Sequence, residues 1–177
     1  MPDILVCSLS RLAQTTDTSG ASHIVTLISA GTPVPRPAAV SADNHLNLAF
    51  HDITEAMDDM TLPGEMHVST FLDFVGKWDQ QAPLIVHCWA GVSRSTAGAF
   101  TALCALRPDV PEAAIAQAIR SRSPEATPNS LFVALADRLL SREGRMVEAV
   151  KAIGRGQNAF EGTIFALPVN HAFDETA

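Results

Sequence analysis

Apolar residues fall into short β-branched runs in the first half of the chain and helix-spaced stripes in the second. Ile4–Leu9 reads as a first strand and Ser22–Ser29, centred on Ile24-Val25-Thr26-Leu27-Ile28, as a second. Thr15–Gly20 reads as a polar loop between them. Gly31–Ala42 carries Pro33, Pro35 and Pro37, which excludes regular structure there. His45–Phe50 alternates Leu46, Leu48 and Phe50, the period of a third strand. Thr54–Gly64 is acidic and irregular. Glu65–Gln80 then places Val68, Phe71, Leu72, Val75 and Trp78 at helical spacing, a core-facing stripe.

Pro83 resets the chain into a short buried strand, Leu84–His87, and Ser95–Leu106 follows as an apolar helix. Pro111 suits the first turn of a helix ending near Arg122. Asn129 suits the N-cap of a helix carrying Leu131, Phe132, Leu135, Leu139 and Leu140. Gly144 breaks that helix, Met146–Ile153 makes a short last one, and Gly154-Arg155-Gly156 reads as a hinge. Phe160–Val169 is apolar enough to dock on the body. The pattern predicts an α/β fold, a short mixed central sheet flanked by helices. One domain over residues 1–177 is expected, with a core over about 3–142 and a C-terminal helix and apolar tail over 144–177.

Composition narrows the function classes. The net charge is −7 and no basic stripe is present, which argues against nucleic acid and against docking on anionic lipid. No run of 18 apolar residues exists and the N-terminus lacks a signal-peptide pattern, so no membrane insertion and a cytoplasmic location are expected. Arg outnumbers Lys ten to two and Ala is abundant, a composition that points to a bacterial genome. Three widely spaced cysteines make no disulfide framework, and no Cys/His pair has zinc-ligand spacing, so neither metal nor cofactor is expected. Cys7 and Cys104 read as core residues, with a regulatory disulfide to Cys88 as the lesser alternative.

The candidate chemistry lies at Val86-His87-Cys88-Trp89-Ala90-Gly91-Val92-Ser93-Arg94-Ser95-Thr96. A short loop between a strand and a helix can wrap its backbone N–H groups, from Trp89, Ala90, Gly91, Val92, Ser93 and Arg94, around a tetrahedral oxyanion. The helix aims its N-terminal dipole at the same point. Arg94 adds a planar fork that matches two phosphate oxygens, and electropositive surroundings favour a thiolate at Cys88. Gly91 tolerates the backbone crowding such a cradle needs. A bare Cys-x5-Arg is weak, but His-Cys-x-x-Gly-x-Ser-Arg-Ser fixes six positions and matches a random window about once in 10⁷–10⁸.

On this string the chain resembles the cysteine-dependent protein tyrosine phosphatases, most closely the compact dual-specificity type. The resemblance covers roughly residues 3–142 and is specific at the loop. It implies a phosphoester hydrolase acting on phosphotyrosine, with phosphoserine and phosphothreonine as further substrates, through a cysteinyl-phosphate at Cys88. Expected partners are a phosphorylated protein or a small aryl or alkyl phosphate. It also implies that His87 orders the loop rather than acting as a base, and that the Ser95 hydroxyl assists the sulfur as leaving group. N-capping of the helix is the other role open to Ser95.

The family places a general acid just after a strand, some thirty-odd residues before the cysteine. Asp52 stands 36 residues before Cys88, and Asp58 and Asp59 stand 30 and 29 before it; His51 is a further alternative. Asn129 after Pro128 matches a position that supports the loop and attacking water, or simply caps its helix. Three other readings stay open. One is a small-molecule or inositol phosphatase, disfavoured by a loop with Trp89, Ala90 and Val92 where lipid-directed relatives carry lysines. Another is a non-catalytic phosphate-binding pseudophosphatase, and the last a rhodanese or arsenate reductase.

Overall fold

A computed structural model describes residues 2–170 and 173. Its centre is a five-stranded sheet in the order β3-β2-β4-β1-β5, formed by β1 (Asp3–Ser8), β2 (His23–Ile28), β3 (His45–Ala49), β4 (Leu84–Cys88) and β5 (Phe165–Pro168). The first four strands run parallel, and β5 pairs antiparallel with β1. The sheet is therefore mixed and flanked by helices, as the periodicity predicts. The helices are α1 (Leu12–Ser19), α2 (Glu65–Lys77), α3 (Arg94–Leu106), α4 (Glu112–Arg122), α5 (Ser130–Leu139) and α6 (Arg145–Ile153).

Strand alternation sorts the two faces. Ile4, Val6, Val25, Leu27, Leu84, Val86 and Cys88 join the larger core with α2 to α6. Cys7, Ile24 and Ile85 point the other way, into a smaller cluster with Leu12 and Val40. Adjacent residues on a strand face opposite sides, so Cys88 and His87 belong to different layers. The apolar α3 is buried from Arg94 to Cys104 and lies at the centre of the larger layer. Gly98 lets it approach, since a Cβ there would meet Leu27 Cδ1 and Val86 Cγ1 at 2.9 Å.

Three expectations change. Thr15–Gly20 is not a loop: Leu12–Ser19 forms α1. Its polar residues bury by local bonding, with Thr16 Oγ1 donating to the Leu12 carbonyl at 2.8 Å and Leu12, Thr15 and Thr16 turned inward. Tertiary burial overrides the weak helix propensity of Thr and Ser. Gly154–Gly156 is not a hinge either. Arg120 donates to the carbonyls of Ile153 (3.1 Å) and Gly154 (2.9 Å), and the Gly156 N–H donates to Thr127 Oγ1 at 3.1 Å. Of the tail's apolar side chains, Phe165, Leu167 and Val169 are buried, whereas Phe160 stays 93% exposed.

The tail also forms a strap behind the Cys88 loop. The Gln157 N–H donates to the Pro124 carbonyl at 3.0 Å and the Gly162 N–H to the Ala90 carbonyl at 2.8 Å. Glu161 accepts from Ser8 and Ser10, and Glu125 accepts from the Thr163 N–H. Burial opposes ionisation of Glu125, yet the Thr163 hydrogen bonds overcome it and hold the carboxyl below its ordinary range.

Candidate active site

Cys88 ends β4 and Arg94 begins α3, so the loop between them is held by the sheet and the central helix. Its carbonyls are taken from outside. Trp89 O accepts from Leu9 N at 3.2 Å, and Ala90 O from Gly162. Val92 O accepts from Thr127 N at 2.9 Å, and Ser93 O from Asn129 N at 3.3 Å. Thr96 Oγ1 adds bonds to the Val92 and Ser93 carbonyls at 2.6 and 2.9 Å. With the carbonyls turned outward, the N–H groups line the inner side. Among the described residues, none of the N–H groups of Trp89, Ala90, Val92, Ser93 and Arg94 donates to a protein acceptor. An array of this kind binds a tetrahedral anion.

Gly91 makes the turn possible. It has φ +75°, and a Cβ there would lie 2.9 Å from the Cys7 carbonyl carbon and the Ser8 nitrogen. Its N–H instead donates to Cys88 Sγ at 3.2 Å. On the other side of the sulfur, Ser95 Oγ lies at 3.1 Å. Ser95 is thus the second helical residue with its hydroxyl on the sulfur, and Ser93 takes the N-cap position that Ser95 was also expected to suit.

Arg94 is 6% exposed. Its Nη1 donates to the Phe50 carbonyl at 2.8 Å and to Ser29 Oγ at 3.3 Å. These bonds anchor one corner of the guanidinium. Its Nε is buried and has no protein partner, which leaves an edge of the fork for an anion.

Asp52 lies three residues after β3 and is brought to the loop, although it is exposed. Its Oδ1 accepts from Ser93 Oγ at 2.7 Å and from Asn129 Nδ2 at 2.9 Å. Asn129 meanwhile caps α5 through Oδ1, which accepts from Phe132 N at 3.0 Å. The side chain thus caps α5 and holds Asp52, while it is the Asn129 backbone N–H that reaches the Cys88 loop, at Ser93 O. Asp58 and Asp59 are exposed on the 54–64 loop with no hydrogen bond to the Cys88 loop. His51 closes the base of that loop: its N–H donates to Thr61 O at 2.8 Å and its Nδ1 accepts from Thr61 N at 2.9 Å.

His87 is fully buried on the opposite sheet face. Its Nε2 lies 2.6 Å from Thr26 Oγ1, which is also 2.8 Å from His45 Nε2. Burial pushes the imidazole down to about 4, with the Cys88 backbone opposing and His45 and Arg94 reinforcing. Among the described residues its buried Nδ1 has no hydrogen-bond partner. The ring lies in the opposite layer from the Cys88 side chain, with Thr26 as its hydrogen-bond partner. Thr26 was missed in the sequence; its signal was the one hydroxyl inside an otherwise apolar strand core.

Cys7 and Cys104 are buried free thiols. Burial pushes Cys7 up to about 12 and raises Cys104 as well, which favours the protonated thiol in both. Among the described residues, no helix is long and apolar enough to cross a membrane.

No protein-family model and no curated protein matches this chain. Solved structures do. The fold is that of the dual-specificity and tyrosine phosphatases. The chain is similar to PTP-2 phosphatase of Cydia pomonella, with a TM-score of 0.59 and 18% identity over 77% of this chain and 84% of that one. It is similar to human DUSP28, with a TM-score of 0.58 and 20% identity over 84% and 94%. It is also similar to PTPMT1 in complex with PI(5)P, with a TM-score of 0.56 and 16% identity over 85% and 91%.

Proposed function

We propose that the protein is a phosphoester hydrolase of the cysteine-dependent type, acting on phosphotyrosine and, with it, phosphoserine or phosphothreonine. The supporting observation is that one short loop carries Cys88 Sγ, a run of N–H groups without a protein acceptor and the buried Arg94 Nε without a partner among the described residues. The loop donors and Arg94 hold three non-bridging phosphate oxygens. They stabilise charge that grows in the transition state without having to reorganise.

In the first step the Cys88 thiolate attacks phosphorus. An S–P bond forms, the ester P–O bond breaks, and Asp52 gives its proton to the leaving oxygen. Both hydrogen bonds to Asp52 fall on Oδ1, so Oδ2 is the oxygen free to carry that proton. In the second step water attacks phosphorus and returns its proton to Asp52. The S–P bond breaks, and inorganic phosphate leaves. Ser95 Oγ donates to the departing sulfur, which makes the thiolate a better leaving group. Asn129 and Ser93 position Asp52, and His87 holds the strand end beneath the sulfur.

Hydrolysis of p-nitrophenyl phosphate tests this reading. Turnover is expected in EDTA, blocked by vanadate and absent in Cys88→Ser. Dependence on added Mg²⁺ or Zn²⁺, or persistent turnover in Cys88→Ser, overturns it. Thiosulfate serves as the competing substrate, since sulfur transfer would mark a rhodanese.

A further inference from the structure

The Cys88 loop is flanked by two hollows of opposite character. On one side an open cleft of about 710 Å³ begins at Asp52, Val92 and Ser93 and runs between α5, α6 and the Gly154–Ala159 segment. That is far more room than a phosphate needs and within the usual range for a bound ligand. Val133 and Val150 give it an apolar wall, and Lys151 and Arg155 supply its cations. Among the described residues its one carboxylate is Asp52, which the proposed chemistry uses. On the other side a hollow of about 310 Å³ is lined by Leu9, Ser10, Trp89, Ala90, Phe160 and Glu161. Among the described residues its charged lining group is Glu161, which hydrogen bonds from Ser10 and Ser8, and the nearby Arg11, hold below the ordinary carboxylate range.

Lys151 and Arg155 are not consumed by internal bonds. Lys151 meets Glu148 at 3.9 Å with both side chains more than 70% exposed, a pairing of little energy. Arg155 makes one 3.3 Å bond to the neutral Asn158. Two available cations in one cleft stand out in a chain of net charge −7. The cleft opens on the Cys88 loop at Val92 and Ser93, whereas Glu161 beside Trp89 and Ala90 is paired with Arg11 at 3.7 Å.

Resting on the phosphatase reading, we infer that this cleft is a recognition site for the flank of a phosphopeptide, taking an apolar residue against Val133 and Val150 and an acidic residue against Lys151 and Arg155. The residue next to the phosphate crosses Asp52 and Ser93, the following apolar side chain covers the valines, and the carboxylate reaches the cations. Arg120 donates to the Ile153 and Gly154 carbonyls, so the backbone that carries the cations is held in place before binding.

The test compares phosphotyrosine peptides with acidic, neutral or basic residues placed on either side of the phosphotyrosine. In the wild type, the acidic flank on one side is expected to raise kcat/KM about five- to tenfold over the neutral peptide, the scale of two partly screened ion pairs. The ratio should shrink as salt is raised. In Lys151→Glu/Arg155→Glu the acidic-to-neutral ratio should fall below one and the basic peptide should become the better substrate. Each ratio is taken within one variant, so a general loss of activity does not enter it. Fluorescence anisotropy with Cys88→Ser and the same peptides reads binding without turnover. If no phosphoester is hydrolysed, the catalytic reading fails while anisotropy still judges the cleft. A wild-type ratio near one on both sides overturns the inference. So does a ratio that the double variant leaves unchanged, or an effect of that variant confined to small phosphorylated metabolites.

Discussion

Acid should destabilise this protein through His87. The imidazole is fully buried and lowered to about 4, against an ordinary value of 6.5. In the unfolded chain it takes up a proton as pH falls through 6.5; in the folded protein it does not until about 4. Between those values the unfolded state binds more protons, so stability falls as pH falls. The contribution is complete above 6.5 and gone below about 4. One pKa unit corresponds to about 1.4 kcal/mol, so the full span is about 3 kcal/mol and the loss from pH 7 to pH 5 about 2 kcal/mol. Buried or half-buried His23, His45 and His67 are lowered too, and add in the same direction. Urea unfolding at pH 7 and pH 5 measures the difference in wild type and His87→Gln. The substitution destabilises at every pH, because Thr26 loses its partner geometry, but it removes the titrating group. The reading therefore rests on the pH slope and not on the absolute stability. The variant should lose about 2 kcal/mol less than wild type on going to pH 5. Equal losses in the two proteins would refute a neutral, buried His87.

Arg94→Lys should abolish turnover of p-nitrophenyl phosphate and protection by vanadate alike, because an ammonium cannot bond Phe50 and still present a fork edge to the phosphate; near-normal rates would remove Arg94 from the cradle. Asp52→Asn should cost about 10²-fold on a phosphotyrosine peptide and less on p-nitrophenyl phosphate, whose leaving group needs little protonation; Asp58→Asn and Asp59→Asn should keep most of the rate, and the reverse ranking would move the acid to the 54–64 loop. Gly162→Ala should slow turnover while leaving α1 and β2 intact, since its Cβ would meet the Gly91 carbonyl oxygen at 2.6 Å and push on the loop from behind; unchanged kinetics would show that the strap gives way freely.

What could be read from the sequence follows from how local each requirement is. The proposed cradle needs a nucleophile, a tight turn and a fork within one loop, so Cys88, Gly91 and Arg94 fall close together and are visible as a string. The strands show because parallel pairing buries both faces, leaving unbroken β-branched runs at β2 and β4. The helix α1 did not show, because its stability comes from the sheet it covers and not from its Leu-Ala-Gln-Thr-Thr-Asp-Thr-Ser residues. Asp52 could be placed only among alternatives, since distance along the chain from Cys88 says nothing of which carboxylate meets Ser93 and Asn129.

Recognition is the opposite case from phosphate binding. A phosphoryl group is the same in every substrate, and one loop suffices to hold it. The body that carries the phosphate differs, and reading it takes surfaces from elements far apart in sequence. Here the cleft joins Asp52 and Val92 to Val133, Val150, Lys151 and Arg155, a span of more than 100 residues brought together by α3 and by Arg120 on the tail. Residues in such a set obey no spacing rule, and Lys151 alone looks like any solvated lysine on a helix. The strap adds a mechanical consequence. Gly162 and Thr163 touch Ala90 and Glu125, and the same segment carries Arg155 on the cleft and Phe160 on the other rim. On the proposed reading, a substrate flank that engaged Arg155 would act on a segment itself hydrogen-bonded to the Cys88 loop at Ala90, a physical route from remote binding to the reacting atoms.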